Sequence, residues 1–506
     1  MYKVLRADKD TYITDRVIRG TRVTGSNVGA AGTLDLFKLY GFVMSGSTPL
    51  TELSRLLIHF DLSPLRTLVS AGKVDVGSTS FQCMLKLHDV YGGQPTPNNF
   101  SVVAYPLSRS FDEGLGRDVV YYSDRDVTNY ITGSRAQGGW LLSGCALGGG
   151  MPGTVDYVTA STTILGGTNL GSTQLFVTGE EDLELDVTTQ VSATLAGLLP
   201  DNGFRISLSA SLETDQYTYF VKRFASRTAF NEDKRPRMIV KYDDSVQDDS
   251  QNLYMDSPSY VFMYNYVRQS LANLTSGSAL TQITGSNSLI LKLATEISGG
   301  TYNLVFTGSQ HKNGIYPVTG AYSASVTVPS TDLTIASKLL QSSSIKFLPI
   351  WGSLDNTVPF VTGSTIYAFP PQRGGTFLGH KQFSVTVYDI KTSYKNTEEA
   401  TLRVNIFDYT SPLISVTKTP VELPGIVVRD VHYQVRDSVT DHVEIPFDTV
   451  KNSTRVSSDA MGMFFKLDMA NLTHDRAYTI DIMICTNNAQ QVFGSAGTTF
   501  KVANVR

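Results

Sequence analysis

The sequence predicts an all-β chain of tandem antiparallel β-sandwich domains, jelly-roll or immunoglobulin-like in style. Three observations carry this expectation. Apolar and polar residues alternate with period two in run after run, Gly, Ser, Asn and Pro clusters separate the runs, and helical spacing is confined to two short pieces. Period two is informative because successive strand side chains face opposite sides of a sheet, so alternation marks a half-buried strand.

The first series of strands includes Leu56–Leu62, Phe81–Leu87 and Phe204–Ser209 and closes on Arg235–Tyr242. Helical spacing is restricted to Pro64–Ser70 and Val187–Leu198, the second opening on the candidate N-caps Thr188 and Thr189. The acidic polar stretch from Asp243 to Ser250 then reads as a linker. Strands resume at Tyr260–Tyr266, Ser288–Leu293, Tyr302–Phe306, Ala324–Val328, Gln382–Tyr388 and Thr401–Phe407, which suit one sandwich. A proline-containing turn at Tyr409–Pro412 opens a last series with Tyr433–Arg436, Gly462–Asp468 and Tyr478–Met483. The expected organisation is a sandwich over 1–244, a linker over 245–257, a central sandwich over 258–411 and a C-terminal sandwich over 412–506. Three domains agree with a length of 506 residues at roughly 150 residues per domain. No repeat of fixed period suggests a propeller or solenoid.

Composition narrows the function classes. With 41% hydrophobic and 17% charged residues the chain can bury enough apolar surface to fold throughout. The formal net charge is -4 and no basic block occurs, which argues against direct binding to nucleic acid. Cys83, Cys145 and Cys485 are odd in number and widely spaced, so three buried thiols are expected rather than a disulfide framework. The opening Met1–Asp8 lacks the apolar run of a secretory signal, and no stretch reaches the length of a membrane span, so synthesis in the cytoplasm or processing is expected.

Four blocks in the first 240 residues carry a resemblance. They are Asp10-Thr11-Tyr12-Ile13 followed by Ser26-Asn27-Val28-Gly29 and Leu34-Asp35-Leu36; Ser54 through Ser63; Val102 through Leu107 with Ser110-Phe111-Asp112-Glu113; and Phe224-Ala225-Ser226-Arg227 leading through Asn231–Lys234 to Arg235–Tyr242. Together they resemble the DNRLRE family of β-sandwich modules of secreted, cell-surface and viral structural proteins, with Phe111 where that family usually places a Trp. From about Tyr260 onward the chain is similar to virion structural proteins of large tailed phages, especially at Asp389–Tyr394, Leu402–Asp408 and Tyr433–Met469. The resemblances imply a virion component docked to other virion proteins, synthesised in the host cytoplasm and oligomeric within a symmetric assembly. The alternative they imply is a carbohydrate-binding surface or adhesion module that meets a host-surface glycan.

The search for chemistry points away from an enzyme. The seven histidines show no metal-ligand spacing, and His59 and His88 lie in strand patterns that suit hydrogen-bonded structural roles. Asp112/Glu113, Glu180/Glu181 and Glu398/Glu399 are sequence neighbours, which on a strand face opposite ways, and solvated turns are expected for them. Gly148–Gly150 and Ser298-Gly299-Gly300 lack the Lys-Ser/Thr of a phosphate loop. Asp243, Asp244, Asp248 and Asp249, and Asp182, Glu184 and Asp186, have the oxygen ligands calcium prefers but match no calcium loop, so a charged linker and a polar strand face are expected. No catalytic residue, cofactor or metal site is therefore assigned. Two sets remain as candidate contacts. Arg227, Arg235 and Arg237 could pair locally or reach a partner subunit, and Trp140 and Trp351 could stack on a sugar or fill a core corner.

Overall fold

Along Gln82–Leu87 every second residue, Cys83, Leu85 and Leu87, is buried, the burial pattern that the alternation anticipates. The same rule builds nearly the whole molecule. A computed structural model of the chain describes residues 1–45, 48–91, 97–120, 126–160, 167–370, 382–408, 425–486 and 489–504. It is all-β, and among the described residues the strand pairs are predominantly antiparallel, with three parallel pairs and four short α-helices. Contacts divide it into two compact units, residues 2–70 with 76–241, and residue 1 with 71–75 and 242–506.

The first unit is built on a ten-stranded sheet: β1 (Tyr2–Thr14), β2 (Thr33–Ser45), β3 (Thr48–Phe60), β4 (Gln82–Leu87), β5 (Phe100–Pro106), β6 (Ser172–Phe176), β7 (Leu183–Asp186), β8 (Phe204–Leu208), β9 (Tyr219–Ala225) and β10 (Arg237–Lys241). They run β6-β5-β8-β3-β1-β10-β4-β7, with β2 on β3 and β9 on β2. β1 changes partner midway. Residues 2–6 pair with β10, and after a register shift between Ala7 and Lys9 the strand continues along β3, as a bulge that bends one strand between two sheets does. Helix α1 (Ser63–Ser70) follows β3, and α2 (Thr188–Leu195) follows β7. The residue before α2 is Val187, not one of the expected threonine caps. Asp186 Oδ1 takes the Thr188 amide and hydroxyl while Thr188 Oγ1 accepts from Cys83 N, so the threonine serves a neighbouring strand. A short α3 (Ala210–Thr214) follows β8.

The second unit contains a central sandwich of eight strands: β11 (Asn252–Tyr254), β12 (Ser259–Tyr264), β13 (Leu289–Ile297), β14 (Gly300–Asn313), β15 (Tyr316–Val326), β16 (Ile345–Ser353), β17 (Pro359–Thr362) and β18 (Ile366–Phe369). Their order is β11-β18-β16-β13-β14-β15-β12, with β17 on β16, and α4 (Leu333–Leu339) precedes β16. The β13–β14 hairpin closes on Ser298-Gly299, where Ile297 faces Gly300 and Gly299 takes φ +101°, a backbone region open to glycine.

The C-terminal sandwich pairs a four-stranded with a six-stranded sheet. The first contains β19 (Phe383–Tyr388), β21 (Glu399–Asp408), β24 (Ser457–Asp459) and β25 (Gly462–Asp468). The second contains β20 (Ser393–Lys395), β22 (Val431–Asp437), β23 (Val443–Ile445), β26 (Arg476–Thr486), β27 (Ala489–Phe493) and β28 (Phe500–Ala503). The expectation that Gln382–Tyr388 and Thr401–Phe407 join the central sandwich is corrected here: β19 pairs with β21, and β21 pairs with β25. Alternation fixes a strand's faces but carries no record of its partner. The boundary expected at Tyr409–Pro412 lies outside the described residues.

The acidic linker is also corrected. Asp248 and Asp249 are buried, and the segment from Val246 to Asp248 lies along β24, with Ser458 N donating to Val246 O at 2.8 Å. Asp249 Oδ2 accepts from Tyr260 N at 2.8 Å and Asp248 Oδ1 from Phe262 N at 3.3 Å. The two carboxylates are thus acceptors for the outer edge of β12, and burial raises the Asp248 pKa to about 6.

Candidate functional site

In the first unit, a long excursion between β5 and β6 is fastened onto the sheet by charges. Arg55 on β3 and Arg205 on β8 are both buried, at 6% and 3% exposure, and share Glu213 of α3. Arg55 forms a fork to the two carboxylate oxygens at 2.9 and 2.8 Å, and Arg205 reaches the same group at 3.5 Å. Burial opposes ionisation of Glu213, yet the two guanidinium groups hold its carboxyl below the ordinary value. Arg205 Nη1 donates to Ser207 Oγ at 2.7 Å, and a further donor of each arginine points at the excursion. Arg55 Nη1 donates to Gly144 O at 2.7 Å and Arg205 Nε to Cys145 O at 3.0 Å, while the Tyr157 ring lies 4.3 Å from the Arg205 guanidinium.

A fully buried carboxylate holds the other side of the same loop. Asp156 accepts from the backbone N–H of Leu141 at 2.8 Å and from those of Leu142 and Leu147 at 3.1 Å each. With carbonyls 144 and 145 bound to arginines and amides 141, 142 and 147 bound to an aspartate, the loop backbone is fixed from two directions. Its leucine side chains are not buried in return: Leu141 and Leu142 are 47% and 52% exposed. The adjoining backbone, Ile131 and Met151, leaves two more apolar side chains in solvent. An apolar loop on a rigid base is an arrangement suited to docking.

Three of the resemblance blocks meet in a second knot. Arg227 forms a fork to Glu113, and Glu113 Oε1 also accepts from Asp10 N. Arg227 N donates to Asp10 Oδ2 at 2.6 Å. Asn27, fully buried, donates to the carbonyls of Glu113 and Thr128 and accepts from Gly116 N at 2.8 Å. A Cβ on Gly29 would overlap the Glu113 carbonyl, which explains the glycine. Burial, with Glu113 close by, raises the Asp10 pKa to about 7. Glu113 is therefore part of a half-buried ion pair and not the solvated turn expected of Asp112/Glu113.

The candidate arginines separate to different local partners. Arg227 binds Glu113, Arg235 binds Glu232 at 2.9 Å and Ala229 O at 3.0 Å, and Arg237 lies 3.3 Å from His88 Nε2. Each of the three thus has a local partner. Trp140 and Trp351 are 7% and 2% exposed, so neither offers an open ring face. Trp140 packs in a cluster with Ile13, Leu57, Leu107, Phe111 and Cys145 and donates to Asn129 O at 3.0 Å. Trp351 belongs to the central core, where Gly308 makes room for its ring.

His59 lies between Asp8 at 2.6 Å and Asp201 at 3.5 Å. Burial pushes its imidazolium down, but hydrogen bonds to Asp201 and Asp8 outweigh this and hold its pKa at about 9. A histidine that keeps its proton at neutral pH is a poor general base. His88 pairs with Asp182 at 2.9 Å, Lys86 with Glu184 at 2.5 Å, and Asp186 with the start of α2. The oxygens considered for calcium thus have protein partners, and among the described residues no group of three or more His, Cys, Asp or Glu could hold a metal ion. Cys83 and Cys145 are buried as expected, whereas Cys485 is half-buried. No helix among the described residues is long and apolar enough to cross a membrane.

Asp156, Arg205 and Glu213 were not singled out by the sequence. The partners named above stand 2 to 158 residues away, and an isolated charged residue carries no mark of such a role.

No family model matches the chain, and no curated protein matches it. Among solved structures it is similar to a tetra-tandem repeat in the extending region of a large adhesion protein, at 12% identity, 49% of this chain, 48% of that chain and a TM-score of 0.15. The chain thus spans about half the length of that structure. It is also similar to chicken CNTN1 FN1-FN3 domains, at 10% identity, 63% and 81% coverage and a TM-score of 0.15. A titin segment follows at 7% identity, 52% and 96% coverage and a TM-score of 0.14. Likenesses of this size carry no argument about what the chain does.

Proposed function

We propose that this chain is a non-catalytic structural component of a tailed-phage virion, at the neck, tail, baseplate, fibre attachment or capsid surface, acting through protein–protein docking. The observation that supports docking is the Leu141–Leu147 loop, fastened by Arg55, Arg205 and Asp156 while Leu141 and Leu142 stay in solvent. A pre-ordered loop gives up little conformational entropy on association, so its apolar contacts count more fully toward affinity. The virion assignment rests on the similarity of the segments after Tyr260 to phage structural proteins.

Quantitative mass spectrometry of washed particles tests the assignment. The expected result is this chain at a copy number that is a multiple of a symmetry order of the particle. Absence from washed particles would sink the proposal.

A further inference from the structure

The central sandwich contains a cleft that the docking reading does not use. Its volume is about 670 Å³, within the range of roughly 300–1,000 Å³ common for small-ligand sites. Trp351 forms part of its wall, with Phe262 and Tyr264 from β12 and Tyr367 and Phe369 from β18. The Phe262 and Tyr264 rings lie side by side, 6.1 Å between centroids and 15° from parallel. Tyr264 and Tyr367 are 36% and 37% exposed, whereas Trp351 in the same lining is buried.

The polar part of the lining is uniform in kind. Gln251 and Asn252 supply amides, Ser250, Ser344, Ser364 and Thr365 supply hydroxyls, and none of the lining residues carries a charge. Amides and hydroxyls both donate and accept, which matches a ligand with many hydroxyl groups, whereas a phosphate, a carboxylate or a metal ion would find no counter-charge. Lys346 lies over the Tyr367 ring at 5.6 Å and is not part of the lining.

A peptide strand is the main competing occupant, because β12 ends its sheet. Strand addition needs unpaired edge groups. Here Tyr260 N and Phe262 N are bound to Asp249 and Asp248, and Tyr260 O accepts from Asp249 N at 2.8 Å. That stretch of the edge is occupied by the chain itself. We infer that the cleft between β12 and β18 is a binding site for a neutral oligosaccharide, stacked on Tyr264 and Tyr367 and hydrogen-bonded by Gln251, Asn252 and the hydroxyl side chains.

The test uses the intact chain on an array of neutral and acidic glycans, followed by titration calorimetry with the best neutral oligosaccharide. Binding should be insensitive to salt between about 0.05 and 0.5 M, because screening acts on charges. Tyr264→Ala and Tyr367→Ala should each weaken it about tenfold, the order expected for one aromatic contact. Both rings are partly exposed, so the variants should keep the wild-type unfolding curve, and circular dichroism checks this. Tryptophan emission gives a second readout: the ligand should shift it in Trp140→Phe, where Trp351 is the remaining indole. An array silent for neutral glycans would overturn the inference. So would binding restricted to acidic glycans and lost with salt, binding unchanged in both tyrosine variants, or a preference for extended peptides. None of these results bears on whether the chain is found in particles.

Discussion

The N-terminal unit and the central sandwich solve the same problem, holding sheet to sheet, by different means. In the N-terminal unit, charged side chains are buried in number: Lys38 at 0% exposure on Asp215, Lys222 at 3% on Asp89, Arg55 and Arg205 on Glu213, and Asp10 beside Glu113 and Arg227. The central sandwich is held by a continuous apolar cluster running from Leu253 to Ala368 around Trp351. The difference follows the connections. Between β13 and β14 the chain turns in two residues and needs no further support, whereas the β5–β6 excursion carries backbone groups that no strand partner satisfies. Buried arginines and aspartates bind those groups. In this excursion buried charge holds the loop, and each charge must find its partner, whereas the 265–288 connection of the central sandwich is held by the neutral groups of Asn265, Asn273 and Tyr322.

That contrast can be broken at measurable places, and the two tryptophans, Trp140 in one unit and Trp351 in the other, give each unit its own fluorescent reporter. The largest effect is expected from Glu213→Ala. It leaves Arg55 and Arg205 buried without their counter-ion and should cost the N-terminal unit about 3–5 kcal/mol in urea unfolding followed through Trp140, with the Trp351 transition unmoved. Equal shifts of both reporters would show that the pair does not act within its own unit.

The second prediction concerns pH. The His59 pKa is raised to about 9 from an ordinary 6.5, so the folded state holds its proton more tightly than the unfolded one. The stabilisation is fully present below pH 6.5 and is lost as pH rises through 9, about 2–3 kcal/mol over that window. His59→Gln should flatten the slope of Trp140 unfolding between those pH values; an unchanged slope would place the titration elsewhere.

Third in size, Gly308→Ala should destabilise the central sandwich by about 1–3 kcal/mol through overpacking, because its Cβ would meet the Trp351 ring. The Trp351 reporter should register this and the Trp140 reporter should not. Smallest, Leu141→Ser with Leu142→Ser should change unfolding by less than about 0.5 kcal/mol per site, since both side chains already face water.

The strands were legible in the sequence because alternation is local. Gln82–Leu87 and Gly462–Asp468 show in the structure the faces their sequences describe. Pairing was not legible, which is why β19 and β21 were placed with the wrong sandwich. The quoted blocks at Asn27, Glu113 and Arg227 held more than strand patterns, for they converge in one knot across 86 and 114 residues of chain. The chemistry of Arg227 could be read only as local pairing or partner contact and that of Glu113 as a solvated turn, because sequence gives the donors and acceptors without saying what lies opposite. Asp156 and Glu213 had no signal of any kind, and the aromatic cleft joins Trp351 to tyrosines that neighbour it only in space.

The most direct test of the account is incorporation. Particles assembled from a mixture of wild-type chain and the Leu141→Ser, Leu142→Ser variant should contain, by quantitative mass spectrometry, wild-type chain in clear excess over its share of the input, although the two unfold alike. Incorporation in proportion to input would contradict the claim that this fastened apolar loop is the docking surface.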